Sequence, residues 1–344
     1  MARAACVMMQ KDEVHLLEPW LAYHGQMFGF DNLYVLDNGS THPGVLLTLA
    51  RYAGKGVHVD YSPCRRDHYL HKGDVVGGVI HRLEVAGRHD FYFPTDCDEF
   101  ILKQTQWGFT CDRAAIHAHL ETLKGEQRTL RIPFQLGNHP LLPDLYHYFT
   151  FTKTFYAADT FGWTDHGHHA FGSRKAEGFR DSQIIHAHFH HLPFEHLLAA
   201  ARRKWNGSVS VDEPEKLVDY RGDSMHLAPY FLMRADEYYA RFDSKVQFYF
   251  PQLRTRLAVL GTPLDLPRET DPAHAMPDLG EAARIPALVP RELSEEAYLS
   301  ANEDVRTAGL NGIYHFVTYG FREARRMHPD TAAATQVTGE THDC

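Results

Sequence analysis

The stretch "RHDFYFPTDCDEFIL", residues 88 to 102, decides how this chain is read. A short aromatic strand runs into two aspartates, Asp96 and Asp98, one residue apart. Residues i and i+2 of an extended segment project to the same side, so both carboxylates can face one point in space. Two carboxylates at the carboxyl end of a buried strand cost free energy unless a cation or hydrogen-bond donors compensate them. A hard divalent ion, Mn²⁺ or Mg²⁺, is a natural partner, with substrate phosphates completing its shell. D-x-D alone is a weak pattern, and many acidic triplets are only solvated turns. The preceding apolar "FYF" is what raises the functional reading.

Working outward, the first hundred residues alternate strand and helix. "AACVMM" suits a buried strand, and "EVHLLEPWLAYHGQMFG" carries Val14, Leu17, Leu21 and Met27 near helical spacing. Pro19 predicts that this helix starts or kinks there. "NLYVLDNGS" and "GVHVDYS" read as further strands, and a helix is expected from about His71 to Ala86 before the "DFYFPTDCDEFIL" strand. Alternation of this kind predicts an α/β fold, a mostly parallel sheet covered by helices. Ligands of such sheets bind outside the carboxyl ends of the strands. Three strand ends carry the informative polar residues: Lys11, Asp12 and Glu13; Asp37, Asn38 and Ser40; Asp96 and Asp98.

Composition excludes several classes. A net charge of −9 and the lack of a basic cluster argue against nonspecific nucleic-acid binding. No apolar run approaches a transmembrane length, and the amino-terminal "MARAACVMMQKDE" reaches charge too soon for a secretory signal. Cys6, Cys64, Cys97, Cys111 and Cys344 are an odd, scattered set, expected to be free thiols in a reducing compartment. A cytoplasmic location follows as the expectation, free or at the inner face of the membrane. The compositional outlier is the set of 25 histidines, many of them between residues 165 and 196. Metal ligation, a pH-sensitive surface and polar core contacts all remain open for them.

The blocks "MMQKDEVHLLEPWLAYHGQMFGFDNLYVLDNGSTH", "FYFPTDCDEFIL" and "HAHFHHLPFEHLLAAARRKWNG" together resemble the glycosyltransferase family 2-like and family 92-like group, over roughly residues 3 to 210. The chain keeps Lys11, Glu13, Glu18, Trp20, Tyr23, His24, Asp37, Asn38 and Ser40 of that pattern, and His188, Phe189, Glu195 and Lys204 of its later block. It departs from the pattern with Asp12 for Asn, an inserted Pro19, and Leu192-Pro193 where an Arg-Ser pair is usual. The resemblance implies a GT-A (Rossmann-like) fold and a metal-dependent, inverting transfer from a nucleotide-sugar donor, UDP-linked. The acceptor it implies is a glycan or glycolipid of bacterial surface polysaccharide synthesis.

The resemblance also distributes roles. Asp98 is expected to ligate the metal, Asp96 to ligate it or to bond ribose or metal-bound water, and His188 to be a third ligand. Lys11, Asp12, Glu13, Asp37 and Asn38 are expected at the nucleoside, with a plain turn cap as the equal alternative for Asp37. Arg174 and Lys175 are candidates for the diphosphate. Glu99 is placed in the catalytic signature, or else orients its loop. Asp165, beside a sugar-stacking Trp163, is the candidate base, and His166, Glu177 and Asp181 remain open. The loop holding His166, His168 and His169 could close over substrate. His186 and His190 read as structural or acceptor-facing.

The expected organisation is a transferase domain over 1–260, a proline-rich linker over 261–290, a small helical module over 291–330 and a disordered tail over 331–344. The module segment "LSEEAYLSANEDVRTAGLNGIYHFVTYGFREARRMHP" resembles one attached to bacterial carbohydrate-active enzymes, through Asn302, Asp304, His315, Gly320, Glu323 and Arg325. Two other readings compete. One is a zinc hydrolase using His186, His188 and His190 on one strand face together with Asp96 or Asp98. The other is a non-catalytic carbohydrate-binding protein with a degenerate transferase domain.

Overall fold

The structure is a computed structural model that describes residues 1–106, 108–142, 144–243, 245–270, 295–310, 312–316, 323, 325 and 326. Its architecture is mixed α/β. Four strands form the parallel heart: β1 (Ala4–Gln10), β2 (Leu33–Asp37), β3 (His58–Asp60) and β4 (Phe91–Thr95), in the Rossmann-like order β3-β2-β1-β4. Every residue of β1 is buried. Its side chains alternate between two clusters, as a strand covered on both faces requires. Cys6 and Met8 join Trp20, Tyr23, Phe93 and Phe100 on one side. Val7 and Met9 join Val76, Ile80, Tyr92 and Tyr156 on the other.

The helix α1 (Leu17–Phe28) fills the first side. Pro19 is its third residue, inside the first turn, where backbone N–H groups have no intrahelical partner. Between β2 and β3 lies α2 (Pro43–Ala53), and α3 (Arg66–Leu70) leads into α4 (Lys72–Ala86), which covers the second side.

The aromatic run does not continue as one strand. It stops at Thr95, turns through Asp96–Asp98, and resumes as β5 (Glu99–Thr105) in a different sheet. That second sheet has six strands and also holds β6 (Gly108–Thr110), β8 (Gln135–Asn138), β9 (Leu145–Phe149), β14 (Ile184–His188) and β15 (Gln247–Tyr249). The sequence reading does not foresee it. The first sheet is extended beyond β4 by β10 (Lys153–Ala157), β7 (Thr129–Ile132) and β13 (Phe179–Asp181), of which β10 and β7 run antiparallel to their inner neighbours. A two-stranded ribbon pairs β11 (Phe161–Thr164) with β12 (Phe171–Ser173). The helix α5 (Arg113–Glu121) precedes β7, and a helical insert begins with α6 (Phe194–Lys204).

Residues 261–270 have no regular secondary structure. The rest of the expected linker, Gly320 and the expected tail lie outside the described residues. Near the carboxyl end, helices Glu295–Ala301, Glu303–Thr307 and Gly312–His315 surround the buried Tyr298, Val305 and Phe316. Asn302 donates to the carbonyls of Tyr298 and Arg326, while Arg325 pairs with Asp304 at 2.6 Å and with Glu323 at 2.8 Å. These residues thus staple the helices together.

Candidate metal and substrate site

Register brings the three strand ends level. Gln10 at the end of β1 pairs with Asp37 of β2, and Met8 pairs with Thr95 of β4. The first two ends are then cross-linked. Gln10 donates to Asp37 and to the Ser40 hydroxyl, and its own amide oxygen accepts from the N–H of Glu13. Asp12 has a left-handed backbone, φ 52°, and its carboxylate accepts the N–H groups of Thr41 and His42 at 2.8 Å. Asn38 donates to the carbonyls of Pro63 and Arg65. Gly39, at φ 74°, could not be replaced freely, since a Cβ there would stand 2.8 Å from the Cys64 carbonyl oxygen.

Asp12, Asp37 and Asn38 therefore spend their polar atoms on the turns themselves. For Asp37, 2 % exposed, the turn-cap alternative describes what it touches. Lys11 is exposed on the same turn, and Glu13 faces the acidic cluster. Burial first, and then the charge of Asp98, raises the Glu13 carboxyl above its ordinary value.

The two aspartates of D-x-D have different fates. Asp96 has both oxygens on ammonium groups, Oδ1 at 2.6 Å from Lys72 Nζ and Oδ2 at 2.8 Å from Lys153 Nζ. Glu99 is fully buried. It takes Lys153 at 2.8 Å, accepts the Asp96 N–H at 3.0 Å, and lies 3.5 Å from His186 Nδ1. Burial alone would raise these carboxyls, but the cations prevail. Lys153 and then Lys72 hold Asp96 well below the usual carboxylate range, and Lys153 and then His186 do the same for Glu99. Glu99, fully buried, thus contacts the turn and its cations rather than the surface.

Asp98 is the open carboxylate. β14 runs antiparallel to β5 with His188 opposite Glu99, and the Phe189 N–H donates to the Asp98 carbonyl at 2.8 Å. This backbone pairing sets His188 Nε2 3.3 Å from Asp98 Oδ2. Against the cost of burial, Asp98 raises the His188 imidazole above its ordinary value and His188 lowers the Asp98 carboxyl. His190, just past the strand, completes a cluster. Ligand atoms of Asp98, His188 and His190 all lie within 4.8 Å of one another. Desolvation, then the neighbouring His188, lowers the imidazole of His190, which is exposed at the surface, while Asp98 raises that of His188, so of the two only His190 is shifted toward the neutral form a ligand needs. One carboxylate and two imidazoles in this spacing fit a divalent ion.

His186 does not join them. It is fully buried with Glu99, so the three histidines expected on one strand face do not converge.

The 165–169 loop stands at the same end of the sheet. A Cβ on Gly73, the second residue of α4, would meet the carbonyl oxygens of Thr164 at 2.5 Å and Asp165 at 2.7 Å. The loop is thus docked against the start of α4, next to Lys72. Asp165 is half-buried, with Oδ1 accepting the His169 N–H. Trp163 is 53 % exposed, and His166 packs edge-on to Tyr69. His168 is fully buried at φ 59°, with Nδ1 3.2 Å from the Thr164 hydroxyl. Glu177 and Asp181 lie outside this loop, and Asp181 forks with Arg131.

Arg174 is elsewhere. It pairs with Glu84 at 2.9 Å and with Asp159 at 3.3 Å, and donates to the Asp159 carbonyl. Asp159 follows the end of β10, which pairs antiparallel with the start of β4. Arg174 therefore marks the amino ends of the parallel strands, away from Asp96, and the adjacent Lys175 is exposed there. The ribbon β11–β12, which folds back along α4, sets this position apart from the Asp98 cluster.

The sequence reading misses Lys72 and Lys153. A lysine within the buried run "KTFYA" was the available signal, since an inward charge on a strand needs a partner.

No family model matches the chain, and no curated protein sequence does. Among solved structures, a crystal structure of S. aureus TarS aligns at TM-score 0.32 and 10 % identity, covering 65 % of this chain and 41 % of that one. The chain thus spans about two fifths of that protein's length. A crystal structure of S. aureus TarS 1-349 aligns at the same TM-score and identity, covering 94 % of this chain and 92 % of that one. Among the described residues no helix is long and apolar enough to cross a membrane.

Proposed function

We propose that the chain is a GT-A glycosyltransferase, metal-dependent and inverting, that moves a sugar from a UDP-linked donor to a glycan or glycolipid acceptor. The observation that carries this reading is the Asp98–His188–His190 cluster at the carboxyl ends of a β3-β2-β1-β4 parallel sheet, where ligands of such sheets bind. An ion held there would neutralise charge on a leaving diphosphate. The sequence resemblance supplies the donor and acceptor classes, and bacterial surface polysaccharide synthesis as the setting.

The remaining work falls to side chains already placed. Lys153 and Glu99 fix the D-x-D turn, so the Asp98 carboxylate is presented without reorganisation. Glu13 and Lys11 border the donor side, and Trp163 offers an exposed ring on which an acceptor sugar can stack. Asp165 is the group proposed to take the acceptor proton, with Gly73 holding its loop in place.

A calorimetric titration of nucleoside diphosphates into chelator-treated full-length protein, with and without Mn²⁺, tests the reading. Binding of one nucleotide only when metal is present is expected. If every nucleotide fails while Zn²⁺ binds tightly, the hydrolase reading replaces it. If neither nucleotide nor metal binds, the non-catalytic reading does.

A further inference from the structure

The connection between β9 and β10 carries an apolar ring to the surface and fixes it there. In "YFTFTKT", residues 148 to 154, Phe149 and Phe151 stand two apart and project to the same side of an extended segment. Phe149, the last residue of β9, is half-buried, and its ring lies 5.6 Å from that of His188 and 5.7 Å from that of His190. Phe151 follows it outward, with ring centroids 4.9 Å apart, and is 55 % exposed. The His169 ring, 5.6 Å from Phe151, continues the row into the 165–169 loop. An aromatic shelf thus runs from the candidate metal ligands to the loop that carries Asp165.

An exposed phenylalanine is ordinary on a loop free to move it, but this one is pinned. The Phe151 carbonyl accepts from Gln135 Nε2 at 2.9 Å, the Thr152 carbonyl accepts from His169 Nδ1 at 2.7 Å, and Lys153 is held at 2.8 Å by both Asp96 and Glu99. Among the described residues no cation stands over the Phe151 ring, in contrast to Phe179, which Arg131 covers at 3.7 Å. Apolar surface kept in water costs free energy that the apolar face of a ligand can recover. The rim of the shelf is polar. A carbonyl only accepts, so His169 Nδ1 carries the hydrogen and, in the neutral ring, Nε2 is left as an acceptor. Thr150 and His190 are exposed beside the two phenylalanines. A flat apolar floor edged by hydroxyl-binding groups fits a pyranose, which has an apolar C–H face and a belt of hydroxyls.

Position says which sugar this is. Lys11 and Glu13 border the donor at the end of β1, whereas the shelf belongs to the second sheet and reaches the Asp165 loop. The His169 N–H donates to Asp165 Oδ1, so one residue pins both the shelf and the proposed base.

We propose that Phe149, Phe151 and His169 form the acceptor subsite, where a pyranose stacks its apolar face on Phe151 with its accepting hydroxyl between Asp165 and the Asp98 cluster. This deepens the transferase reading. It rests on that reading for the direction of transfer, and on the aromatic shelf alone for sugar binding. Trp163, whose ring lies against Gly172 across the ribbon, is then the outer platform, for a further sugar of the same glycan.

The test is saturation-transfer NMR on full-length protein, with methyl α- and β-glycosides of glucose, galactose and N-acetylglucosamine as probes. At least one glycoside is expected to bind, with its ring C–H protons the most strongly saturated. Phe151→Ala is expected to weaken it by about tenfold or more, and Phe151→Tyr to hold it within about threefold, because the tyrosine keeps a ring to stack on. Trp163→Ala is expected to stay within about threefold for these single sugars. Any of three results overturns the proposal: no glycoside binding to wild type, unchanged binding in Phe151→Ala, or a loss in Trp163→Ala that Phe151→Ala does not show. Two further results would also overturn it by giving the shelf another occupant. Uridine binding that Phe151→Ala abolishes would seat a nucleobase there. Displacement of the glycoside by UDP-glucose and not by UDP, both with Mg²⁺, would seat the donor sugar. Glycoside binding in the expected pattern with no nucleoside diphosphate bound would sink the transferase reading and leave the shelf as a sugar site. Metal-dependent nucleotide binding with no glycoside on the shelf would sink this inference alone.

Discussion

Both ends of the parallel sheet bury carboxylates against cations, yet only one end leaves anything for a ligand. At the amino end, Glu84 takes Arg174 on one oxygen and the Phe161 N–H on the other. At the carboxyl end, Asp96 is closed in the same way by Lys72 and Lys153. Asp98 is about as exposed as Asp96, 30 % against 24 %, but it has a single imidazole partner in place of two ammonium groups. An ion pair by itself is therefore a poor marker of a functional site. A better one is a carboxylate left with an unused oxygen and imidazole nitrogens nearby. By that criterion the signature DCDE divides into one carboxylate with an unused oxygen and two held by lysines.

The division can be broken most directly at Asp98. Asp98→Asn removes the only anionic donor of the cluster, and transfer is expected to fall by about a thousandfold, several kcal/mol of transition-state stabilisation. Its thermal midpoint should move little, because Asp98 holds a single imidazole at 3.3 Å and is partly exposed, whereas Asp96 and Glu99 carry the buried ammonium pairs. Unchanged turnover would remove Asp98 from the site. Lys153→Met gives the opposite profile. Asp96 and Glu99 lose their shared buried partner, and unfolding in urea is expected to show a loss of about 3–5 kcal/mol. A loss of activity at unchanged stability would instead make Lys153 a substrate contact.

Legibility in the sequence followed the same line. The parallel half was readable because β1, β2 and β4 are short apolar runs that end in polar turns, and α4 starts one residue after the expected His71. Asp98 and His188 were readable as a pair through the resemblance. The second sheet was not. β5 continues the aromatic run without a Gly or Pro break, so nothing local announces that it changes sheet. Arg174 misled because proximity in sequence to the His166–His169 loop says nothing about where a two-stranded ribbon folds back. His190 was underrated because membership of the cluster depends on how the chain leaves β14, which strand alternation does not fix.

The second sheet also makes its own prediction, read over a narrow span of pH. His24 and His147 are completely buried, and burial lowers each imidazole to about 3. In the unfolded chain both would titrate near the ordinary 6.5. The unfolded state then binds more protons below that value, so stability falls as pH drops from about 6.5 toward 3 and is fully present above 6.5. Each histidine contributes about 1.4 kcal/mol per pH unit in that window. Urea midpoints should be flat between pH 7 and 8 and decline steadily from pH 6 to 5. His147→Phe, which cannot protonate, should reduce the slope, and an unaltered slope would mean that His147 is charged or solvated in the fold.

Arg174→Met sharpens the comparison with the smallest expected effect. Glu84 would keep the Phe161 N–H, and its carboxyl is already raised by burial, so it can respond by taking up a proton. Arg174 itself is about one-third exposed, which limits what its charge contributes. A loss of about 1 kcal/mol or less follows, from one charge-assisted pair exchanged for a protonated acid. Donor affinity and turnover should both stay within about twofold, because 1.4 kcal/mol would be needed for a tenfold change and none of the lost contact faces the substrate. A tenfold rise in the apparent donor affinity constant, with stability unchanged, would place Arg174 at the diphosphate after all. The two ends of the sheet would then have to close on the substrate together, and the contrast between them would fail.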